Sequence, residues 1–115
     1  MYTIDNKPYP CCTSVTMRFI GGKWKAVILV HLIDGAKRYN EIRKNIPTIT
    51  ERTLSLQLKQ LEEDMIISRK VYTEKPPLIV EYKLTDFGRT LLPVLNEIIK
   101  WGQDAVDDSK KVTKN

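Results

Sequence analysis

The chain has 115 residues with 19 Lys and Arg against 14 Asp and Glu, a formal charge of +5, two cysteines and one histidine. That length makes one domain, and the positive balance suits a polyanionic partner as readily as plain solubility. Two cysteines and one histidine are too few for a four-ligand Cys/His zinc site in one chain, and no apolar run reaches the about 18 residues of a membrane span.

The opening, MYTIDNKPYPCCTS, has no basic-then-apolar signal pattern, so a cytoplasmic protein is expected. Residues 1–10 carry Pro8 and Pro10 and no periodicity, and read as an extended or loose arm. Cys11 and Cys12 are adjacent. An ordinary disulfide needs its Cα atoms farther apart than one peptide step, so two free thiols are expected. Val15, Met17, Phe19 and Ile20 mark a short helix over residues 13–20, which Gly21-Gly22 ends. Residues 23–33 are apolar nearly all round, the mark of a central buried helix. His31 lies inside this run and reads as a core or interface histidine rather than a ligand. Asp34-Gly35 ends the helix.

A third helix is expected over residues 40–45, capped by Asn40, with Tyr39, Ile42 and Ile46 inward. Pro47 leads into residues 48–64, TITERTLSLQLKQLEED, with Leu54, Leu58 and Leu61 on one side. Thr48 or Thr50 can cap this helix, and Thr48 with Glu51 fits a capping box. Helix, short turn and helix over residues 39–64 have the spacing of a helix-turn-helix. After residue 64 the period changes to two: residues 66–73 and 78–84 read as strands joined by Glu74-Lys75-Pro76-Pro77, a wing. Thr85-Asp86 caps a long helix over residues 87–106, kinked by Pro93. The polar tail, residues 107–115, frays. The chain thus divides into an arm (1–10), a DNA-binding domain (11–106) and a tail (107–115). A small domain gains by pairing with a second copy, and the apolar excess on the first and last helices supplies the surface.

Taken in order, these pieces resemble the HxlR-type winged helix-turn-helix regulators, relatives of the MarR type. IGGKWKAVILVHL is similar to the family's GGKW helix opening, and RYNEIRKNIPTITERTLSLQLKQLEED to its helix-turn-helix. PPLIVEYKLTDFGRTLLPVL resembles its wing and helix junction, and Trp101-Gly102 a late W-G pair. Three departures stand out. Cys12 replaces a frequent proline, Met65 stands where a glycine commonly ends the recognition helix, and PPLIVEY has one residue more than the usual wing spacing. The fold implied is mainly α with a small antiparallel β wing, a winged helix-turn-helix whose terminal helices form a dimer interface.

The function expected is sequence-specific regulation of transcription, as a repressor, by a homodimer on double-stranded DNA with pseudo-palindromic half-sites. On a helical wheel Arg52, Ser55, Leu56 and Lys59 point away from the leucine stripe, with Thr50 and Thr53 near the helix start. Arg52 suits guanine, Leu56 a thymine methyl and Lys59 a phosphate. Lys37 and Arg38 before the third helix, and Lys70, Lys75 and Arg69 in the wing, suit the DNA backbone. The resemblance implies that Cys11, with Cys12 beside it, senses oxidants or electrophiles. Two alternatives remain open: control by a small apolar ligand near Trp24, His31 and Trp101, and a winged helix that binds protein. An enzyme is not expected, since no catalytic triad order or phosphate loop is present, and neither is a cofactor or metal.

Overall fold

The computed structural model describes residues 1–115. Tyr2–Ile4 (β1) and Lys7–Tyr9 (β2) pair antiparallel, so residues 1–10 form a hairpin and not a loose arm. The turn is Asp5-Asn6, with φ of 50° and 64°. Consecutive positive φ values define the hairpin turn whose twist matches its strands, and Asp and Asn tolerate them. The hairpin leans on α1 (Cys12–Ile20), for which Cys11 is the N-cap.

α2 (Lys25–Val30) is shorter than the apolar run that announced it. Residues 31–33 continue in tighter i→i−3 hydrogen bonds, so Ile28, Leu29 and Leu32 are buried while Val27 is exposed. The helix is therefore buried on one side rather than all round. His31 is half-buried at its C-cap. A two-residue strand, β3 (Lys37–Arg38), follows; it is too short to show alternation in the sequence. α3 (Tyr39–Asn45) begins one residue before the expected cap. Arg38, not Asn40, is the N-cap, and its N–H donates to the Glu41 carboxylate at 2.9 Å.

α4 (Glu51–Glu63) carries the leucine stripe as expected, with Leu54, Leu58 and Leu61 buried. Its N-cap is Thr50, whose hydroxyl oxygen accepts from the Thr53 N–H at 3.1 Å. The Thr48–Glu51 capping box does not form; Glu51 instead meets Arg43 of α3 at 2.8 Å, an ion pair across the turn. At the far end Met65 takes the glycine-like conformation itself, with φ of 60°. Met65 N–H donates to Glu62 O and Ile66 N–H to Leu61 O, both at 3.0 Å, which closes the last turn as a Schellman motif.

The wing is β4 (Ile67–Val71) and β5 (Val80–Leu84), antiparallel, with Arg69 opposite Tyr82. β3 pairs with the other edge of β5, so the sheet order is β3-β5-β4 and Lys37 also lies opposite Tyr82. The long C-terminal helix is in fact two, α5 (Asp86–Arg89) and α6 (Leu92–Asp108). The chain breaks between them, and Pro93 falls in the first turn of α6, where its missing N–H costs nothing. Thr85 ties the parts together: its hydroxyl donates to Met65 O at 2.6 Å and accepts from Gly88 N–H at 2.9 Å. A Cβ on Gly88 would stand 2.0 Å from Ile66 O, so only glycine lets α5 approach the sheet this closely. The core lies between α2, α3, α4 and the sheet, and α6 contributes Leu95 to it.

Candidate nucleic-acid interface

The outer face of α4 is defined by what its inner face buries. With Leu54, Leu58 and Leu61 inward, Arg52, Leu56 and Lys59 are exposed on the far side, and Leu56 is 51% accessible. Arg52 and Lys59 form no ion pair within the chain. The small polar residues are differently occupied. The Thr50 and Thr53 hydroxyls lie 2.9 Å apart, bonded to each other at the helix start. Ser55 Oγ lies 3.3 Å from the hydroxyl of Tyr39, which also donates to Glu51 O at 3.3 Å. Tyr39 thus pins α3 onto α4 and engages Ser55.

The sheet sorts the basic residues into two faces. Directly opposite residues of an antiparallel ladder share a face, and alternate residues change it. Lys37, Tyr82 and Arg69 make one row, on the side of the buried Ile67 and Leu84, where α4 packs. Arg38, Glu81 and Lys70 make the other row, facing away. There the Lys70 ammonium lies 4.7 Å from the Tyr72 ring centroid, and Tyr72 donates to Glu81 at 2.8 Å, which raises the Tyr72 pKa. Of the wing cations, Arg69 is the one on the side of α4. The period of two counted from the buried Ile67 puts it on that face. Lys75 is exposed at the wing tip. The extra residue of the wing loop is absorbed by an ordered closure: Tyr72 N–H donates to Ile79 O, and the Thr73 hydroxyl donates to Pro77 O and accepts from Ile79 N–H.

Both cysteines are exposed free thiols. Cys11 caps α1: its N–H donates to Ser14 Oγ at 3.1 Å and the Ser14 hydroxyl donates to Cys11 O at 2.6 Å. The Ser14 backbone N–H, then the Ser14 hydroxyl, hold the Cys11 thiol below its ordinary pKa. Cys12 Sγ lies 3.5 Å from the Tyr2 hydroxyl of the hairpin, which raises the pKa of Tyr2. Farther along α1, Arg18 grips Asp64, the C-cap of α4, through bonds of 2.7 and 3.2 Å, and reaches Asp5 in the hairpin turn at 3.1 Å. The Asp64 side chain is only 8% exposed, and its hydrogen bonds to Arg18 raise the guanidinium pKa further. The sequence offers no signal for a pair 46 residues apart.

The chain thus combines a helix-turn-helix whose second helix is locked by leucines, an antiparallel wing and a capped C-terminal helix pair. Residues 19–110 match the family described as HxlR-like helix-turn-helix. The chain belongs to that family. Its relatives are transcriptional regulators. One is YdeP, an HTH-type transcriptional regulator of Bacillus subtilis, 52% identical over 102 residues that span 89% of this chain and 79% of the relative. Among solved structures, the redox regulator HypR in its oxidised form superposes with a TM-score of 0.77 at 49% identity, covering 82% of this chain and 96% of that one. Quinone-bound YodB from B. subtilis superposes at 0.66 and 33% identity, covering 80% and 96%. The family consists of regulators, not enzymes, and no helix of this chain is long and apolar enough to cross a membrane.

α6 presents an unmatched surface. Val94, Ile98 and Trp101 are exposed at i, i+4 and i+7, with Trp101 74% accessible. With Pro93 and Glu97 they line an open groove of about 650 Å³. Neither Trp24 nor His31 lines this groove, so the three residues named for an apolar ligand do not converge on it.

Proposed function

We propose that the protein is a homodimeric repressor that reads a pseudo-palindromic operator and loses or changes that binding when Cys11 is modified. The observation that carries the reading is the free outer strip Arg52, Leu56 and Lys59, on a helix whose opposite side is fixed in the core. Arg52 pairs with guanine, Leu56 touches a thymine methyl and Lys59 meets the backbone. Thr50 and Thr53 set the start of the reading helix. Ser55, engaged by Tyr39, lies at the flank of the strip. Lys37, Arg38, Lys70 and Lys75 add backbone contacts that set affinity rather than sequence. The exposed stripe of α6 is the surface for a second copy, and half-sites then lie roughly 34–36 Å apart or a multiple of that.

Cys11 is the reactive thiol in this reading, with Cys12 beside it. Its lowered pKa gives a larger thiolate share near pH 7 than an ordinary cysteine has, and the thiolate is the nucleophile. With a quinone, the Cys11 sulfur bonds to a ring carbon and the ring gains the thiol proton, ending as a hydroquinone thioether. With diamide, two thiols lose two hydrogens to the azo bond and join as a disulfide. The names of HypR and quinone-bound YodB support an oxidant or electrophile as effector.

The test is selection of bound duplexes from a random pool, with and without diamide or quinone. A two-fold symmetric site is expected from the reduced protein. Its enrichment should fall after treatment of the wild type and persist for Cys11→Ser. Asymmetric or absent enrichment overturns the operator reading, and equal responses of the two proteins overturn the thiol. The alkylation rate of Cys11 against pH should rise at lower pH than that of a free cysteine thiol, because its pKa is depressed.

A further inference from the structure

Between α4 and the wing lies a cleft of about 280 Å³ lined by Ser55, Leu58, Lys59, Glu62, Arg69 and Tyr82. Three of these have unused polar capacity. Lys59 comes from the exposed flank of α4 and Arg69 from β4, and neither forms an ion pair within the chain. Tyr82 comes from the central strand and is only 9% exposed. Its hydroxyl makes no hydrogen bond within the chain, and the residue lines the cleft. No buried side-chain polar atom of the chain lacks a partner, so this hydroxyl keeps contact with solvent and is free to donate to a bound group, in a cleft that two uncommitted cations also line. The register fixes the arrangement: Arg69 and Tyr82 are directly opposite on the face that α4 covers.

We infer that this cleft seats one phosphodiester group of the DNA backbone, held by Lys59, Arg69 and Tyr82. The inference rests on the DNA-binding reading above and adds to it Tyr82 and the joining of Arg69 and Lys59 in one seat. The Arg69 guanidinium suits two phosphate oxygens at once, Lys59 supplies a point charge, and Tyr82 donates one neutral bond. The seat joins the reading helix to the wing, so one phosphate fixes the depth of α4 in the groove relative to β4–β5. Glu62 on the rim opposes an anion and weakens the seat. A contact of this kind carries no sequence information, so its loss weakens every duplex alike.

The experiment measures affinity for the selected operator and for an unrelated duplex over a salt series, for wild type, Arg69→Gln, Arg69→Lys, Tyr82→Phe and Glu62→Gln. Circular dichroism checks that each variant is folded. Arg69→Gln should weaken both duplexes about tenfold and reduce the slope of log K against log salt by about 0.9, the share of one phosphate. Arg69→Lys should keep the slope. Tyr82→Phe should weaken binding about fivefold at an unchanged slope, because only a neutral donor is lost. Glu62→Gln should strengthen it. Wild-type affinity and slope in Arg69→Gln overturn the cleft while leaving DNA binding intact. A loss confined to the operator makes Arg69 a base contact and also overturns it. Thermal protection of wild type but not Arg69→Gln by inorganic phosphate, with equal DNA binding, assigns the cleft to a free anion instead. A wild type that binds no duplex at any salt overturns both readings.

Discussion

α4 and α6 are both amphipathic helices, and the chain treats them oppositely. α4 buries Leu54, Leu58 and Leu61 completely within its own fold and leaves a mixed polar face outside. α6 is longer, at 17 residues against 13, yet buries only Leu95 and exposes Val94, Ile98 and Trp101. A stripe that its own chain covers fixes a helix in place; a stripe left open contributes stability only when something else covers it. The two helices therefore fail differently when their apolar residues are removed.

The largest effect is expected for Leu61→Ala, which should cost the folded chain about 3 kcal/mol by cavity formation, read as a concentration-independent drop in unfolding midpoint. Ile98→Asp should leave the fold of the separated chain intact but weaken self-association about 100-fold, or about 2.7 kcal/mol, by sedimentation. If Ile98→Asp instead unfolds the chain as Leu61→Ala does, the contrast between the helices is wrong. On the outer face of α4, Arg52→Ala should lose about 2 kcal/mol of discrimination between operator and mismatched duplex, with smaller change on unrelated DNA. An equal loss on all duplexes would move Arg52 to the backbone. The smallest effect is a gain. Met65→Gly should stabilise the chain by about 1 kcal/mol, because Met65 holds a positive φ that glycine adopts freely, and its exposed side chain gives up little packing.

Features with a local period were legible in the sequence. The leucine stripe, the two wing strands and the order of the helix-turn-helix follow from spacings of 3.6 and 2 that a few residues suffice to show. The hairpin has a turn signal in Asp5-Asn6, but its three-residue strands are too short to alternate and Pro8 and Pro10 argue against a strand. Pro8 is tolerated there because a three-residue ladder in a two-stranded sheet, where both strands are edges, needs few donors. β3 is too short to alternate, and it pairs only because β5 offers a free edge. The break between α5 and α6 falls where Pro93 has no N–H to donate to the Arg89 carbonyl, whereas the close approach of Gly88 to Ile66 joins distant parts of the chain. The candidate residues on α4 were found by the wheel, whereas the commitment of Ser55 to Tyr39 and the unused Tyr82 hydroxyl depend on tertiary packing. The two faces of the basic pairs Lys37-Arg38 and Arg69-Lys70 lay within reach of simple alternation.

The bond from Arg18 to Asp64 has a thermodynamic consequence. α1 is capped by Cys11 and, about 10 Å farther along its axis, is fastened to Asp64, the C-cap of α4. Whatever shifts α1 by acting at the thiol then shares a free-energy cycle with whatever holds α4 in the groove. Cycles of this kind are reciprocal. If thiol modification weakens operator binding by some factor, a bound operator must disfavour that modification by the same factor, so DNA occupancy itself would decide which copies of the protein are modified.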